Sequence, residues 1–237
     1  MEEKIRLLEQ VALGLGLSLQ EVVDCWGAQA KVKQSSLASR CLEPQNEQDF
    51  KFPFGDIRSQ AKLFWYAFEG GKFSPDPKAY PNCQGVVGWI NPNPDAPEGR
   101  RIYVVLPEQM ELKYSSKPRK THLHDLNDGQ ENTRRLIDAG KEYGIKIPAA
   151  EYAYNYTKNG VKKGEAFWPA GEQLLRVCAN AYDVNQSLEK IGGTFKGTLF
   201  SSSEHDAYKA WCVDTDDGQI GYYRKDFDHM VSFFIAY

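Results

Sequence analysis

Three short runs in this sequence carry the residue types that chemistry uses. His122-Leu123-His124-Asp125 sets two imidazoles on the same side of an extended segment. A zinc site needs further ligands close by, and none follows, so the run reads as a polar loop. Asp214-Thr215-Asp216-Asp217-Gly218 has the oxygen content of a calcium loop. An EF-hand wants Gly at its sixth position and Glu at its twelfth. Here Gly218 is fifth and Lys225 is twelfth, so the run reads as an acidic turn. Ser201–Ser203 lie in a strand-like run without the G-x-S-x-G elbow that exposes a nucleophile.

The cysteines are Cys25, Cys41, Cys83, Cys178 and Cys212. Their number is odd and no C-x-x-C occurs, which argues against a disulfide framework or a zinc site. Cys178 falls on an apolar helix face and reads as core. Cys212 sits on a strand and is free to point outward, where exposure and pKa would set its reactivity. No phosphate-cradling G-x-x-x-x-G-K-[ST] and no G-x-G-x-x-G is present. The sequence predicts no catalytic residue, no metal and no cofactor, and a protein that is not an enzyme.

Recognition chemistry is better represented. From Leu199 to Tyr237 the chain holds nine aromatics, seven carboxylates, three Lys/Arg and two of its four His. Rigid amphipathic rings beside short polar side chains give contact area at low entropic cost. Tyr208, Tyr222 and Tyr223 are the contact candidates. Trp211, between Ala210 and Cys212, reads as core.

The elements that must position these residues follow from the rest of the chain. Its 237 residues suffice for a sizeable core. The net charge of −3 shows no basic stripe, which speaks against nucleic acid. No apolar run approaches the ~20 residues that span a bilayer. The start, MEEKIRLLEQ, does not read as a secretory signal. The compartment stays open among cytoplasmic, particle-associated and surface-displayed.

Residues 3–27 read as two short helices, the second opening on a capping box at Ser18 and Glu21. Residues 28–49 read as a polar linker. The division predicted is a helical extension and linker over 1–49 and one domain over 50–237. Residues 1–27 are a candidate element for self-association or docking. Within the domain, residues 60–68 fit strand or helix. Gln84–Ile90 and Arg101–Leu106 read as a hairpin. Residues 130–143 and 171–183 read as helices, and 207–214, 219–224 and 230–236 as strands.

The order of short motifs in the second half resembles a known family. GVVGWI is followed by NDGQENTRRLIDA, AFWPAGEQL, LFSSSE, YKAWCV and a closing apolar strand. This resembles C-type-lectin-like domains of the formylglycine-generating-enzyme subtype, and more closely the variable proteins of diversity-generating retroelements and related bacterial domains. It differs from them at Phe167-Trp168-Pro169-Ala170, which lacks the usual Leu before Pro, at Phe200 and at Val231-Ser232-Phe233. The resemblance implies an α+β fold, a C-type-lectin-like domain with a small N-terminal helical extension. It also implies display of a variable surface to a protein or glycan ligand. In that family randomised Asn codons become NNY. His205, Asp206, Tyr208, Cys212, Asp214, Asp216, Tyr222, Tyr223, Asp226, Asp228 and His229 are all residues that NNY encodes, and they form the candidate ligand-binding set. Glu204 and Trp211 are not, and would be framework. No E-P-N, Q-P-D or W-N-D triplet suggests a calcium-dependent sugar site. Two further roles are open, an enzyme on the same scaffold and a tip subunit of a particle or fibre.

Two structural expectations follow. His205, Asp206, Tyr208, Asp214, Asp216, Tyr222 and Asp228 should be mostly exposed and share one face. Trp168, Trp211, Leu174, Leu175, Phe200 and Phe233 should share one core.

Overall fold

Strands buried on both faces read as unbroken apolar runs rather than as alternations. GVVGWI, IYVVL and VSFFIA are such runs, and they form the centre of the structure. The computed structural model of the chain describes residues 55–93 and 95–237. The extension, linker and docking element expected over residues 1–49 lie outside the described residues. After a 3-10 turn at Ile57–Gln60 come strands β1 (Tyr66–Phe68), β2 (Lys72–Ser74), β3 (Cys83–Ile90) and β4 (Ile102–Lys113). Four helices follow: α1 (Gly129–Tyr143), α2 (Pro148–Asn155), α3 (Gly171–Cys178) and α4 (Ala181–Glu189). The described chain closes with β5 (Thr198–Glu204), β6 (Lys209–Asp214), β7 (Ile220–Arg224) and β8 (Asp228–Ala236).

All eight strands join one sheet, in the order β2-β1-β3-β4-β8-β5-β6-β7. Neighbours run antiparallel except β5 and β8, which pair parallel with Leu199 opposite Met230. Successive residues on the central strands point to opposite faces. Val87, Val104, Phe233 and Ile235 enter a core that includes Leu136 of α1 and Ala149, Ala150 and Ala153 of α2. Val86, Val105 and Phe234 enter a second core, with Leu174 and Val177 of α3 and Val184 and Leu188 of α4. The sheet is therefore the middle layer, with one helix pair against each face.

This corrects the expected fold class. The chain is not organised as the α+β C-type-lectin-like domain that the motif order implied. The described residues form a single eight-stranded mixed sheet with four short helices as covers. The physical reason is the double burial of the central strands, which forces hydrophobic cover on both sides. The single shared core is corrected for the same reason. Trp168, Phe200 and Phe233 lie on one side of the sheet, and Leu174 and Leu175 on the other.

Local chemistry sets the element ends. Asp128 caps α1 by accepting from the Glu131 amide at 2.9 Å, and Gly144 ends it at a left-handed φ of 62°. Gln173 Oε1 accepts from the amides of Ala170 (3.0 Å) and Gly129 (2.8 Å), tying the start of α3 to the start of α1. The helix expected over 171–183 is two helices, bent at Ala179–Asn180. That bend lets Val177 and Val184 both reach the second core. The hairpin expected from Gln84–Ile90 and Arg101–Leu106 forms as β3 and β4, with Val86 opposite Val105. β4 then runs on past a register break at Pro107, the residue that cannot donate to a ladder. Among the described residues no helix is long and apolar enough to cross a membrane.

Candidate functional site

The candidate residues sit on β5 to β8 and the turns that join them, at one end of the sheet order. β7 is the terminal strand, so one edge and both faces of it meet solvent. Tyr222 lies opposite Trp211 on β6. The His205 ring lies 4.4 Å from Tyr222 and 4.6 Å from Trp211, and Lys209 Nζ stands 4.3 Å from the Tyr222 ring. Tyr223, one residue on, points to the other face. There it packs 4.8 Å from His229, which lies 4.3 Å from Phe200. The wider candidate set thus forms two clusters on opposite sides of the edge strand, with His205 and Tyr222 in one and Tyr223 and His229 in the other. Burial lowers the His229 pKa, against the nearby charges of Asp228 and Glu111.

Several acids of the set are occupied by their own turns. Asp206 accepts from the amides of Tyr208 (2.7 Å) and Lys209 (2.9 Å), and its Oδ2 lies 2.9 Å from His205 Nδ1. Partial burial alone would raise its pKa, but the Tyr208 and Lys209 amides and His205 hold it lower than usual. Asp214 accepts from Thr198 Oγ1 at 2.6 Å and from the Asp216 amide at 2.9 Å. Asp226 pairs with Arg224, which also stands over the Phe227 ring at 5.2 Å. Asp216 and Asp228 are exposed. Cys212 is corrected as a ligand candidate. It is 2% exposed, inside the first core, and burial pushes its thiol up to about 12.

The freely displayed groups are aromatic. Tyr208 is 62% exposed, Phe227 56%, Tyr223 47% and Tyr222 41%, four of the six large exposed hydrophobics among the described residues. Tyr208 and Phe227 sit in the β5–β6 and β7–β8 turns, at the same end of the strands, since the Lys225 amide donates to Tyr208 O. Phe227 was not in the candidate set. The signal available was its place in a turn between Asp226 and Asp228, where no strand partner can bury it.

Beneath these turns lies an ion pair with no exposed surface. Lys225 Nζ is 2.5 Å from Glu204 Oε2, and both side chains are fully buried. Glu204 also accepts from the Thr121 amide (2.6 Å), Thr121 Oγ1 (2.7 Å) and the His122 amide (3.2 Å). Lys225 further donates to Arg119 O at 2.9 Å and stands 4.9 Å from the Tyr114 ring. Burial alone would raise the Glu204 pKa, but Lys225 and Thr121 outweigh it and the carboxyl is held lower than usual. The pair ties the 114–124 loop to β5 and the β7–β8 turn. With no surface to meet a substrate, its geometry is that of a tether. The three serines before Glu204 are fully buried hydrogen-bond hubs. Ser201 Oγ donates to Trp211 O (2.9 Å), Ser203 Oγ to Asp125 O (2.6 Å), and the Ser202 amide to Pro169 O (2.8 Å). Among the described residues no group of three His, Cys, Asp or Glu stands ready to hold a metal.

The fold resembles that of a fimbrial protein. A solved structure of a fimbrial protein from Bacteroides ovatus superposes with a TM-score of 0.59 at 14% identity. The match covers 75% of this chain and 49% of that one, so this chain spans about half of its structural neighbour's length. At this identity the likeness is one of fold. No family model and no curated protein matches the chain.

Proposed function

We propose that this protein is a surface-display or structural subunit and binds a protein or glycan through the turn end of β5–β8. The observation that carries the reading is the concentration of Tyr208, Tyr222, Tyr223 and Phe227 as exposed rings within one short stretch. Exposed apolar patches rimmed by polar groups mark interaction sites. The likeness of fold to a fimbrial protein supports the structural half of the reading. A binding protein is favoured over an enzyme because the convergent titratable pair, Glu204 and Lys225, has no exposed surface.

The test is binding of the full chain to a glycan array and to a panel of extracellular proteins. A Tyr208→Ser, Phe227→Ser double variant should lose any specific signal, since truncating aromatic anchors commonly costs ~2 kcal/mol or more each. Binding unchanged in the double variant would remove the turn end from the reading.

A further inference from the structure

The geometry points to β7 as a self-pairing edge that joins two copies of this chain through their β7 strands, antiparallel and centred on Tyr222. Among the described residues, β7 ends the sheet and has β6 as its one strand neighbour. The Asp214 amide donates to Gln219 O and the Lys225 amide donates to Tyr208 O. Antiparallel ladders alternate, so residues 219, 221, 223 and 225 face β6. The amides and carbonyls of Ile220, Tyr222 and Arg224 therefore point outward. Arg224 O also accepts from the Phe227 amide at 3.5 Å and keeps a second lone pair, so the row remains a template for another strand.

Among the described residues, β7 lacks several of the usual devices that blunt an edge, and Arg224 is its one charged residue. The β6–β7 register runs from Lys209–Arg224 to Val213–Ile220 with no bulge. β7 holds no proline and no lysine, and its outward groups span the whole strand. The opposite edge, β2, is three residues long.

The occupant that fits is a second copy, because the strand is complementary to itself. The register with full overlap puts Tyr222 opposite Tyr222 on a two-fold axis and Ile220 opposite Arg224. Every outward amide then meets an outward carbonyl. On one face Tyr223 of each copy covers Gly221 of the other, where a missing side chain leaves strand surface bare. On the other face each Arg224 lies diagonal to the other copy's Tyr222, within reach of a cation–π contact. A five-residue strand pair covers less than the ~800 Å² per partner of a standard interface, so the dimer should be concentration-dependent. This pairing goes beyond the display reading, and it rests on the strand edge rather than on the turns.

The experiment combines sedimentation velocity of the full chain over a concentration series with cysteine crosslinking. A hydrogen-bonded antiparallel pair sets its Cα atoms about 5.5 Å apart, inside the disulfide range of about 4.4–6.8 Å. Tyr222→Cys should form a disulfide dimer under mild oxidation, and Tyr223→Cys, facing Gly221, should not. Arg224→Pro removes an outward amide from each copy and no bond to β6. It should weaken dimerisation roughly tenfold for the two hydrogen bonds lost. In the wild-type chain, the amides of Ile220, Tyr222 and Arg224 should exchange more slowly as concentration rises. That reading needs no variant to fold. A chain monomeric throughout the series would overturn the proposal. So would a dimer in which these three amides stay unprotected, or one that crosslinks equally through Tyr223→Cys. None of these results bears on ligand binding at Tyr208 and Phe227.

Discussion

At the scale of single residues, the stakes are highest at Glu204. Two charges have left water completely, and they are satisfied by each other and by Thr121, His122 and Arg119, with His124 Nε2 3.6 Å from Glu204 and the Tyr114 ring beside Lys225. Removing one member leaves the other charged and buried, which costs ~3–5 kcal/mol. Lys225→Met should therefore lower the unfolding midpoint sharply. The Lys225→Met, Glu204→Leu double variant should recover much of the loss, because a matched apolar pair carries no stranded charge. The same pair sets an acid response. The folded pKa of Glu204 lies lower than its ordinary 4.5, so the unfolded chain binds its proton first as pH falls. Its contribution is full above that ordinary value and is lost as pH drops through the depressed one. Urea titrations from pH 7 downward should show this slope in the wild type, and Glu204→Leu in the double variant should flatten it. An unchanged slope would mean that other carboxylates govern acid unfolding.

At the scale of elements, the close approach of α3 to the sheet depends on Gly88. A Cβ there would meet Val177 Cγ1 at 2.8 Å and Val105 Cγ2 at 3.0 Å. Both neighbours are β-branched and held in the second core, so neither can swing away. Gly88→Ala should cost ~1–3 kcal/mol by overpacking, measured as a lower melting temperature. Val177→Ala in the same chain should relieve part of it. This contact also marks the limit of what the sequence discloses. The β3–β4 hairpin, α1 and the three closing strands were legible, because each carries its own periodicity or caps. The layer arrangement was not. GVVGWI reads as apolar whether one helix pair covers it or two, and only the tertiary fold decides. α2 was hidden because PAAEYAYN is short and its apolar face is mostly alanine. The break at Ala179–Asn180 was hidden because it serves two packing contacts and has no glycine or proline to announce it. Among the candidate residues, composition found the exposed tyrosines. It could not tell a displayed Asp from one that closes its own turn, since both are polar and both lie in loops.

At the scale of the whole molecule, the sheet separates framework from surface along the chain itself. The centre, β3, β4 and β8, is covered on both faces, while the β6–β7 end carries its rings outward. Stability and recognition should therefore be separable by mutation, and the acids should divide unlike the aromatics. Tyr208 and Phe227 lie in turns and are mostly exposed, so replacing both by Ser should leave stability within about 0.5 kcal/mol per site. Asp214→Ser should behave differently. That carboxylate accepts from Thr198 on β5 and from the Asp216 amide in the β6–β7 turn. Its loss should cost roughly 1.5–3 kcal/mol, the range for hydrogen bonds to a charged group. Trp211→Ala should cost more again, ~3–5 kcal/mol for a buried large aromatic. The measurement is the guanidinium midpoint of the three variants side by side, with a binding readout for each. The expected order of stability is the Tyr208/Phe227 double variant, then Asp214→Ser, then Trp211→Ala. Collapse of the double variant would mean that its rings hold the turns together, and that the β5–β8 end is architecture rather than a surface offered to a partner.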